Sequence, residues 1–219
     1  MGKYHGYAKR INTLVKERFT AYEKARDEYE DARKDRYTNS KPISEFADPE
    51  IRIARNEAEN RYIQAEANLK KVTDALQDTL SDVEGIKAEL IADVSEEWKV
   101  NPDDLDRNTV DLLQSGICSP QEIADLFDRA MNPTTKRYIG QFASEEIKRL
   151  PTSWDKAKAL QATTLLNNVA HQGSLYRDVS HAEPVMRINA VADVLRRCVR
   201  TPSMMHEWDN LTSENLSAL

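Results

Sequence analysis

Residues 4–37 decide the fold, and they read YHGYAKRINTLVKERFTAYEKARDEYEDARKDRY. Positions that are separated alternately by four and three residues are small or apolar along most of this stretch. A repeat of 3.5 residues keeps one stripe of a helix facing a partner helix, which is the pattern of a coiled-coil seam. The stripe is interrupted by an arginine, and tyrosine replaces the usual leucine. It consists of Tyr4, Ala8, Ile11, Val15, Arg18, Tyr22, Ala25, Tyr29 and Ala32.

A second long helix is predicted after a break in the chain. Pro42 blocks helix continuation, and Asp48-Pro49 is typical of a helix start because aspartate caps the first turn and proline suits its first position. The helix that follows is too long for an ordinary globular helix, which again favours a coiled coil. Its apolar stripe consists of Ile51, Ala54, Ala58, Tyr62, Ala65, Leu69, Val72, Leu76, Leu80, Val83, Ile86 and Leu90.

Charge favours an antiparallel pairing of the two helices. Residues 1–18 carry five basic side chains and one acidic side chain, whereas residues 74–98 carry eight acidic and one basic. A hairpin that turns near residue 43 places residues 4–18 beside roughly 68–82 if both arms rise equally. Exposed ion pairs contribute only about 0–1 kcal/mol each, so these charges select orientation rather than supply stability. The alternative is a parallel dimer of single long helices, which the break at 38–48 and the charge pattern disfavour.

The chain after residue 100 predicts five or six short helices. Gly116 is a predicted C-cap, Gly173 a predicted break or bend, and the tail from Asp209 a polar segment that frays. No alternating β-branched run indicates a sheet. The predicted fold is therefore all-α, with a long antiparallel helical hairpin over residues 1–100 and a small multi-helix bundle over residues 101–219. Helix starts are predicted at Asn101-Pro102, Ser119-Pro120, Asn132-Pro133, Thr152-Ser153, Ser180-His181 and Thr201-Pro202.

The motifs argue against catalysis. No zincin helix, phosphate loop, nucleophile elbow or zinc-ligand spacing occurs, so we predict no catalytic, cofactor-binding or metal-binding residue and no cofactor. Cys118 and Cys198 are interpreted as small core residues in a reducing compartment, and His171 and His181 as surface or cap residues. There is no apolar run of membrane length and no signal peptide, which predicts a protein made in a cytoplasm without membrane contact.

Contact with other proteins is the predicted activity. Aromatic residues are frequent on the first helix, and they are common anchors of interfaces. A second apolar patch lies near the C-terminus. The alternative is that packing within the hairpin and the bundle satisfies these side chains. The candidate contact residues are Tyr7, Phe19, Tyr37, Met204, Met205 and Trp208.

One stretch resembles a known group of proteins. The segment VDLLQSGICSPQEI at residues 110–123, continued by NPTTKRYI at 132–139, is similar to phage and prophage proteins of Gram-positive bacteria. Those proteins place a leucine pair, Ser-Gly, a capped helix and Asn-Pro-Thr after a long helical region. The resemblance implies a phage-encoded structural or assembly protein that is scaffold-, capsid- or connector-associated. Its location would be the host cytoplasm or the virion, and its partners virion proteins or further copies of itself.

The sequence also suggests two alternatives to a structural or assembly role. An inhibitor could lay an acidic helical surface in the nucleic-acid channel of a host or defence enzyme. That surface would consist of Asp74, Asp78, Asp82, Glu84, Glu89 and Asp93. A DNA-binding regulator could use the Ser119–Ile139 helix pair, but Asp125, Asp128 and the net charge of −6 make nucleic acid an unlikely partner.

Overall fold

The computed structural model describes residues 3–40 and 49–219, which form α-helices and short 3-10 helices and contain no β-strand. The all-α prediction is therefore confirmed for these residues. The predicted break at Lys41-Pro42 and the predicted cap Asp48 lie outside them. The α-helices are α1 (His5–Asn39), α2 (Pro49–Glu97), α3 (Arg107–Gln114), α4 (Pro120–Arg129), α5 (Pro133–Glu146), α6 (Lys156–Leu175), α7 (Glu183–Arg200) and α8 (Trp208–Ser217).

The chain divides into two compact units. Unit 1 comprises Met1–Ala88 and Arg187–Leu219, and unit 2 comprises Glu89–Met186. Both divisions fall inside a helix, one in α2 and one in α7. The sequence instead places a domain boundary after residue 100, where a cap and a proline punctuate the chain. A boundary inside an unbroken helix leaves no such punctuation, so sequence signals cannot mark it.

In unit 1 the apolar stripe of α1 is turned inward. All nine predicted stripe residues are buried or half-buried. The stripe of α2 is turned inward from Ala58 to Ile86, whereas Ile51 and Ala54 are exposed. Helix α7 and the C-terminal segment add further buried apolar residues to unit 1, namely Ile188, Val191, Ala192, Val194, Leu195, Cys198, Trp208, Leu216 and Leu219.

Ion pairs join α1 to α2 at two places along the helices. Arg18 lies 3.8 Å from Asp82, and Arg36 lies 2.7 Å from Glu59. The predicted register was wrong, because equal arms would have placed Arg18 beside residue 68. Glu59 already pairs with Arg36 near the end of α1, so the α2 residues before Ala58 find few packing partners on α1. Each of residues 49–57 is exposed.

The C-terminal segment does not fray as predicted but forms α8, which packs on α1. Trp208, Thr212 and Leu216 recur every fourth residue, so they share one face of the helix. All three are buried. Backbone pairing also ties this segment to α1, because the Tyr4 N–H donates to the Leu219 carbonyl at 2.7 Å.

Caps define most of the helix starts in unit 2. Ser119 and Glu122 form the predicted capping box, and the Asn132 side chain accepts from the Thr135 N–H. Gly116 has φ +70°, which suits the predicted C-cap. Three predicted starts were wrong. Asp106 caps α3 after a 3-10 turn at Pro102–Asp104, and Asp155, not Thr152-Ser153, caps α6. Helix α7 begins at Glu183 after a 3-10 turn at Val179–His181.

Helices α5 and α6 of unit 2 approach each other closely at two glycines. A Cβ added to Gly140 would lie 2.7 Å from the Gly173 Cα, and one added to Gly173 would lie 2.6 Å from the Gly140 Cα. Gly173 was predicted to break or bend its helix, and the break does not occur, because α6 continues to Leu175. The glycine instead allows close packing against α5. The core around this crossing consists of Leu113, Ile123, Ala124, Phe127, Ile139, Ala143, Leu166 and Val169.

Candidate functional site

Three of the predicted contact residues meet in unit 1. Phe19 of α1 lies with Met205 and Trp208 around a cleft of 280 Å³. An ion pair of 2.8 Å between Lys16 and Asp209 borders this cleft. The sequence treated Phe19 and the C-terminal patch as separate surfaces, and the packing of α8 on α1 brings them together.

Burial gives the two aromatic residues of this cleft a structural role. Phe19 is 3% exposed and Trp208 is 2% exposed. The Trp208 indole N–H donates to the Asn12 side-chain oxygen at 3.0 Å, which satisfies the one polar group of the ring. Met204 and Met205 are half-buried beside them. These contacts fasten the C-terminal segment to α1.

Tyr7 and Tyr37 lie far apart on α1. Thirty residues of helix separate them, which corresponds to about 45 Å. Tyr7 is half-buried and lies 6.5 Å from Tyr4, with the Arg10 guanidinium 5.8 Å from its ring centroid. Tyr37 is 80% exposed. The predicted contact residues therefore do not form a single site, and Tyr37 is the one that stands in solvent.

Other large apolar side chains are exposed in the same part of unit 1 as Tyr37. Ile51, Ile53 and Ile63 of α2 are 51%, 55% and 53% exposed. We call Tyr37, Ile51, Ile53 and Ile63 the distal surface. Ile51 was predicted to belong to the buried stripe, and the exposure of Ile53 and Ile63 was not predicted. The spacing of Ile51 and Ile53 could have indicated exposure. Residues two apart in a helix point to nearly opposite sides, so a single partner helix cannot bury both.

Charges around the distal surface are compensated within the chain. Arg36 pairs with Glu59, and the Arg61 guanidinium lies 2.6 Å from the Asp35 carboxylate. Over residues 30–40 and 49–63 there are six acidic and six basic side chains. The region therefore has no net formal charge although the chain carries −6. Such a surface can bury apolar area against another protein without leaving unpaired charges of one sign in the interface.

A tyrosine pair lies between the two helices near this region. The Tyr29 and Tyr62 hydroxyl oxygens are 3.1 Å apart, and the ring centroids are 5.4 Å apart. The hydrogen bond with Tyr29, together with burial, raises the pKa of Tyr62 to about 12. The Arg36 guanidinium lies 4.4 Å from the Tyr62 ring centroid, where a cation–π contact forms. Both tyrosines are thus engaged within unit 1.

The predicted acidic surface is partly neutralised inside the units. In unit 1, Asp82 pairs with Arg18, and Glu84 pairs with Lys87 and Arg196. The hydrogen bond from Lys87, opposed in part by burial, lowers the pKa of Glu84. Asp74 and Asp78 are exposed and make no ion pair with described residues. The remaining two residues, Glu89 and Asp93, belong to unit 2, and both have interactions there or elsewhere in the chain.

Reactive groups outside these surfaces are few. Cys198 is buried and Cys118 half-buried, both are free thiols, and burial raises the pKa of each. Within residues 3–40 and 49–219, no group of three or more His, Cys, Asp or Glu side chains could hold a metal ion. No helix in that same part of the chain combines the length and apolar character that a membrane crossing requires.

Comparison of the chain with protein families, with curated proteins and with solved structures found no match.

Proposed function

We propose that this protein is a non-enzymatic structural or assembly protein that acts through protein–protein contacts, and that its copies associate through the distal surface. The proposal keeps the predicted long helical hairpin, a coiled coil followed by a small multi-helix domain. The setting we propose is a phage, as a scaffold-, capsid- or connector-associated component. The support for that setting is the resemblance of residues 110–139 to phage and prophage proteins of Gram-positive bacteria.

The exposure of the distal surface carries the proposal. Its four large side chains are each at least half exposed, and exposed apolar side chains in one part of a protein can mark an interaction site. The isoleucines lie around α2 rather than on one face of it, because Ile51 and Ile53 point to nearly opposite sides. Burying the exposed half of each isoleucine contributes about 1 kcal/mol. Because Ile51 and Ile53 point to nearly opposite sides of α2, a symmetric contact between two copies would bury only one of them from each copy, together with neighbouring side chains of the distal surface. Because association itself costs about 4–15 kcal/mol, we expect weak, concentration-dependent self-association.

The charge balance of the region favours a second copy as the occupant. An isologous contact places the same patch against itself, so any excess charge would be doubled. Here the acidic and basic side chains are equal in number, and Arg36–Glu59 and Arg61–Asp35 are already paired within one copy. Repulsion between two copies is therefore small at this surface.

Sedimentation velocity over a range of protein concentrations tests this proposal. We expect the wild-type sedimentation coefficient to rise with concentration and that of the variant Ile51→Ser/Ile53→Ser to stay constant. Isoleucine and serine have similar helix propensities, so the substitutions should leave α2 formed. Leu160→Ser, in unit 2, removes an exposed apolar side chain elsewhere and should behave as wild type. A wild-type protein that stays monomeric, or a double variant that associates equally well, would contradict self-association here.

The inhibitor function remains the second candidate because Asp74 and Asp78 lie exposed one turn apart on α2 and lack ion pairs with described residues. The salt dependence of binding distinguishes the two functions. An acidic helix in a basic channel should lose affinity steeply as salt rises, whereas apolar self-association should not weaken. Retention of a nucleic-acid enzyme from source cells at low salt only, abolished by Asp74→Asn/Asp78→Asn, would favour the inhibitor.

A further inference from the structure

Two arginines of unit 2 line two neighbouring hollows. Arg137, on α5, and Arg177, just after α6, both border a groove of 540 Å³ and an adjoining cavity of 150 Å³. The rest of the cavity wall is small or polar, with Gln141, Ser144 and Ser174 among its residues. Both guanidinium groups can therefore reach a ligand that sits where the two hollows meet.

Arg137 is held in place by two helix ends. Its Nε donates to the Tyr176 carbonyl and one terminal nitrogen donates to the Trp98 carbonyl, both at 2.7 Å. Burial, and secondly the positive charge of Arg177, lowers the pKa of Arg137. Arginine still stays protonated in proteins. The second terminal nitrogen makes no hydrogen bond with a described residue, so it is positioned to donate to a ligand.

Neither arginine has a counter-ion within the part of the chain that the structure describes. Arg177 donates to the Gln141 side-chain oxygen at 2.9 Å, a neutral acceptor. No aspartate or glutamate lines the groove or the cavity. This is unexpected from composition, because unit 2 contains 16 acidic and 10 basic side chains. Two neighbouring cations without a carboxylate in an acidic unit create a local site for an anion.

The groove beside the arginines is apolar. Val100, Pro102, Leu105 and the Tyr138 ring form most of its wall, and Val100 is largely exposed. A volume of 540 Å³ lies in the usual range for ligand sites. The hollow thus combines a place for an apolar side chain with two donors for a carboxylate, which arginine binds through paired hydrogen bonds.

We propose that this hollow binds a peptide segment of a partner protein in which an aspartate or glutamate lies next to a large apolar residue. The carboxylate accepts hydrogen bonds from Arg137 and Arg177, and the apolar side chain occupies the groove between Val100 and Tyr138. The site belongs wholly to unit 2 and does not depend on self-association through the distal surface.

Selection from a library of random 12-residue peptides tests the proposal, with the whole protein as bait. We expect enriched peptides to carry Asp or Glu beside Leu, Ile, Phe or Met, and the variant Arg177→Gln to retain few of them. Fluorescence anisotropy then gives affinities, which Arg177→Gln should lower about tenfold, since a charge-assisted hydrogen bond is lost. Arg177→Lys should lose less. Arg129→Gln, a change of another cation in unit 2, should leave affinity unchanged.

Arg177 is the better test position because Arg137 also holds two carbonyls, and circular dichroism confirms that each variant is folded. Replacing the peptide carboxylate by an amide should weaken binding to wild type more than binding to Arg177→Gln, in which only Arg137 remains to donate to the carboxylate. No enrichment, enrichment without acidic residues, or equal retention by Arg177→Gln would overturn the proposal. Inorganic phosphate and acetate are added alone as further probes. Binding of these ions without any peptide would reveal a simple anion site and would also overturn it.

Discussion

Adding one methyl group at the crossing of α5 and α6 should destabilise unit 2. In Gly140→Ala the new Cβ would lie 2.7 Å from the Gly173 Cα and 3.3 Å from the Val169 carbonyl oxygen. These are backbone atoms, which cannot swing away as a flexible side chain would. The two helices must instead move apart by about 0.7 Å to restore an ordinary contact of 3.4 Å.

The expected magnitude follows from two opposing contributions. Overpacking a core by a methyl group costs about 1–3 kcal/mol, and backbone contacts favour the upper part of that range. Alanine gains about 1 kcal/mol over glycine in a helix interior. We therefore expect Gly140→Ala to lower the free energy of unfolding of unit 2 by about 1–2 kcal/mol. Gly85→Ala is the matched control, because no atom lies within 4 Å of its added Cβ, and it should stabilise α2 by about 0.5–1 kcal/mol.

Native-state hydrogen exchange read by mass spectrometry localises both effects, since two units need not unfold in one transition. Peptides from α5 and α6 should exchange faster in Gly140→Ala, and α2 peptides around residue 85 slower in Gly85→Ala. Gly140→Ala with Gly173→Ala should cost less than the sum of the single changes, because one separation of the two helices relieves both clashes. Unchanged or slower exchange of α5 and α6 in Gly140→Ala would refute the argument that close packing requires these glycines.

Three further predictions concern single hydrogen bonds. Ser119→Ala removes the capping-box acceptor and should destabilise α4 by about 1 kcal/mol, whereas Ser119→Thr should be nearly neutral, as measured by urea unfolding. Asn12→Ala leaves the Trp208 indole N–H buried without its acceptor and should cost about 1–3 kcal/mol in thermal unfolding; no loss would contradict the assigned bond. Tyr62, whose folded pKa is about 12, favours the folded state below the ordinary tyrosine value of 10.0, and that contribution should disappear as pH rises through about 12. Absorbance titration should show a lower pKa for Tyr62 in Tyr29→Phe, and an unchanged value would argue against the hydroxyl contact.

Local punctuation and periodicity predicted much of the fold. The 3.5-residue stripe of α1 identified buried positions because a helix can hide only one face against its neighbours. Ser119, Asn132 and Gly116 marked helix ends correctly, since each supplies backbone hydrogen bonding or a backbone angle that the terminus requires. The register of α1 against α2 was not predictable in this way. It depends on where the chain turns, and an alternation of small and large residues fits several registers almost equally.

The candidate surfaces were harder to predict than the helices. Tyr37 was identified because aromatic residues anchor interfaces, but the same rule selected Phe19 and Trp208, which are buried. Composition does not distinguish an aromatic residue that packs inside from one that faces solvent. Arg137 and Arg177 are 40 positions apart in the sequence and meet only because α5 and α6 cross closely at their glycines. No local sequence pattern indicates that these two side chains line the same hollows.

Photo-cross-linking from position 37 tests the central claim, association of copies through the distal surface, most directly. Tyr37 is replaced by p-benzoylphenylalanine, and a mixture of isotopically light and heavy protein is irradiated and read by mass spectrometry. We expect mixed light–heavy cross-links that join position 37 of one copy to residues 49–63 of another. The same photo-cross-linker in place of Leu160 should give none. Absence of mixed cross-links from position 37, or equal yields from both positions, would contradict the claim.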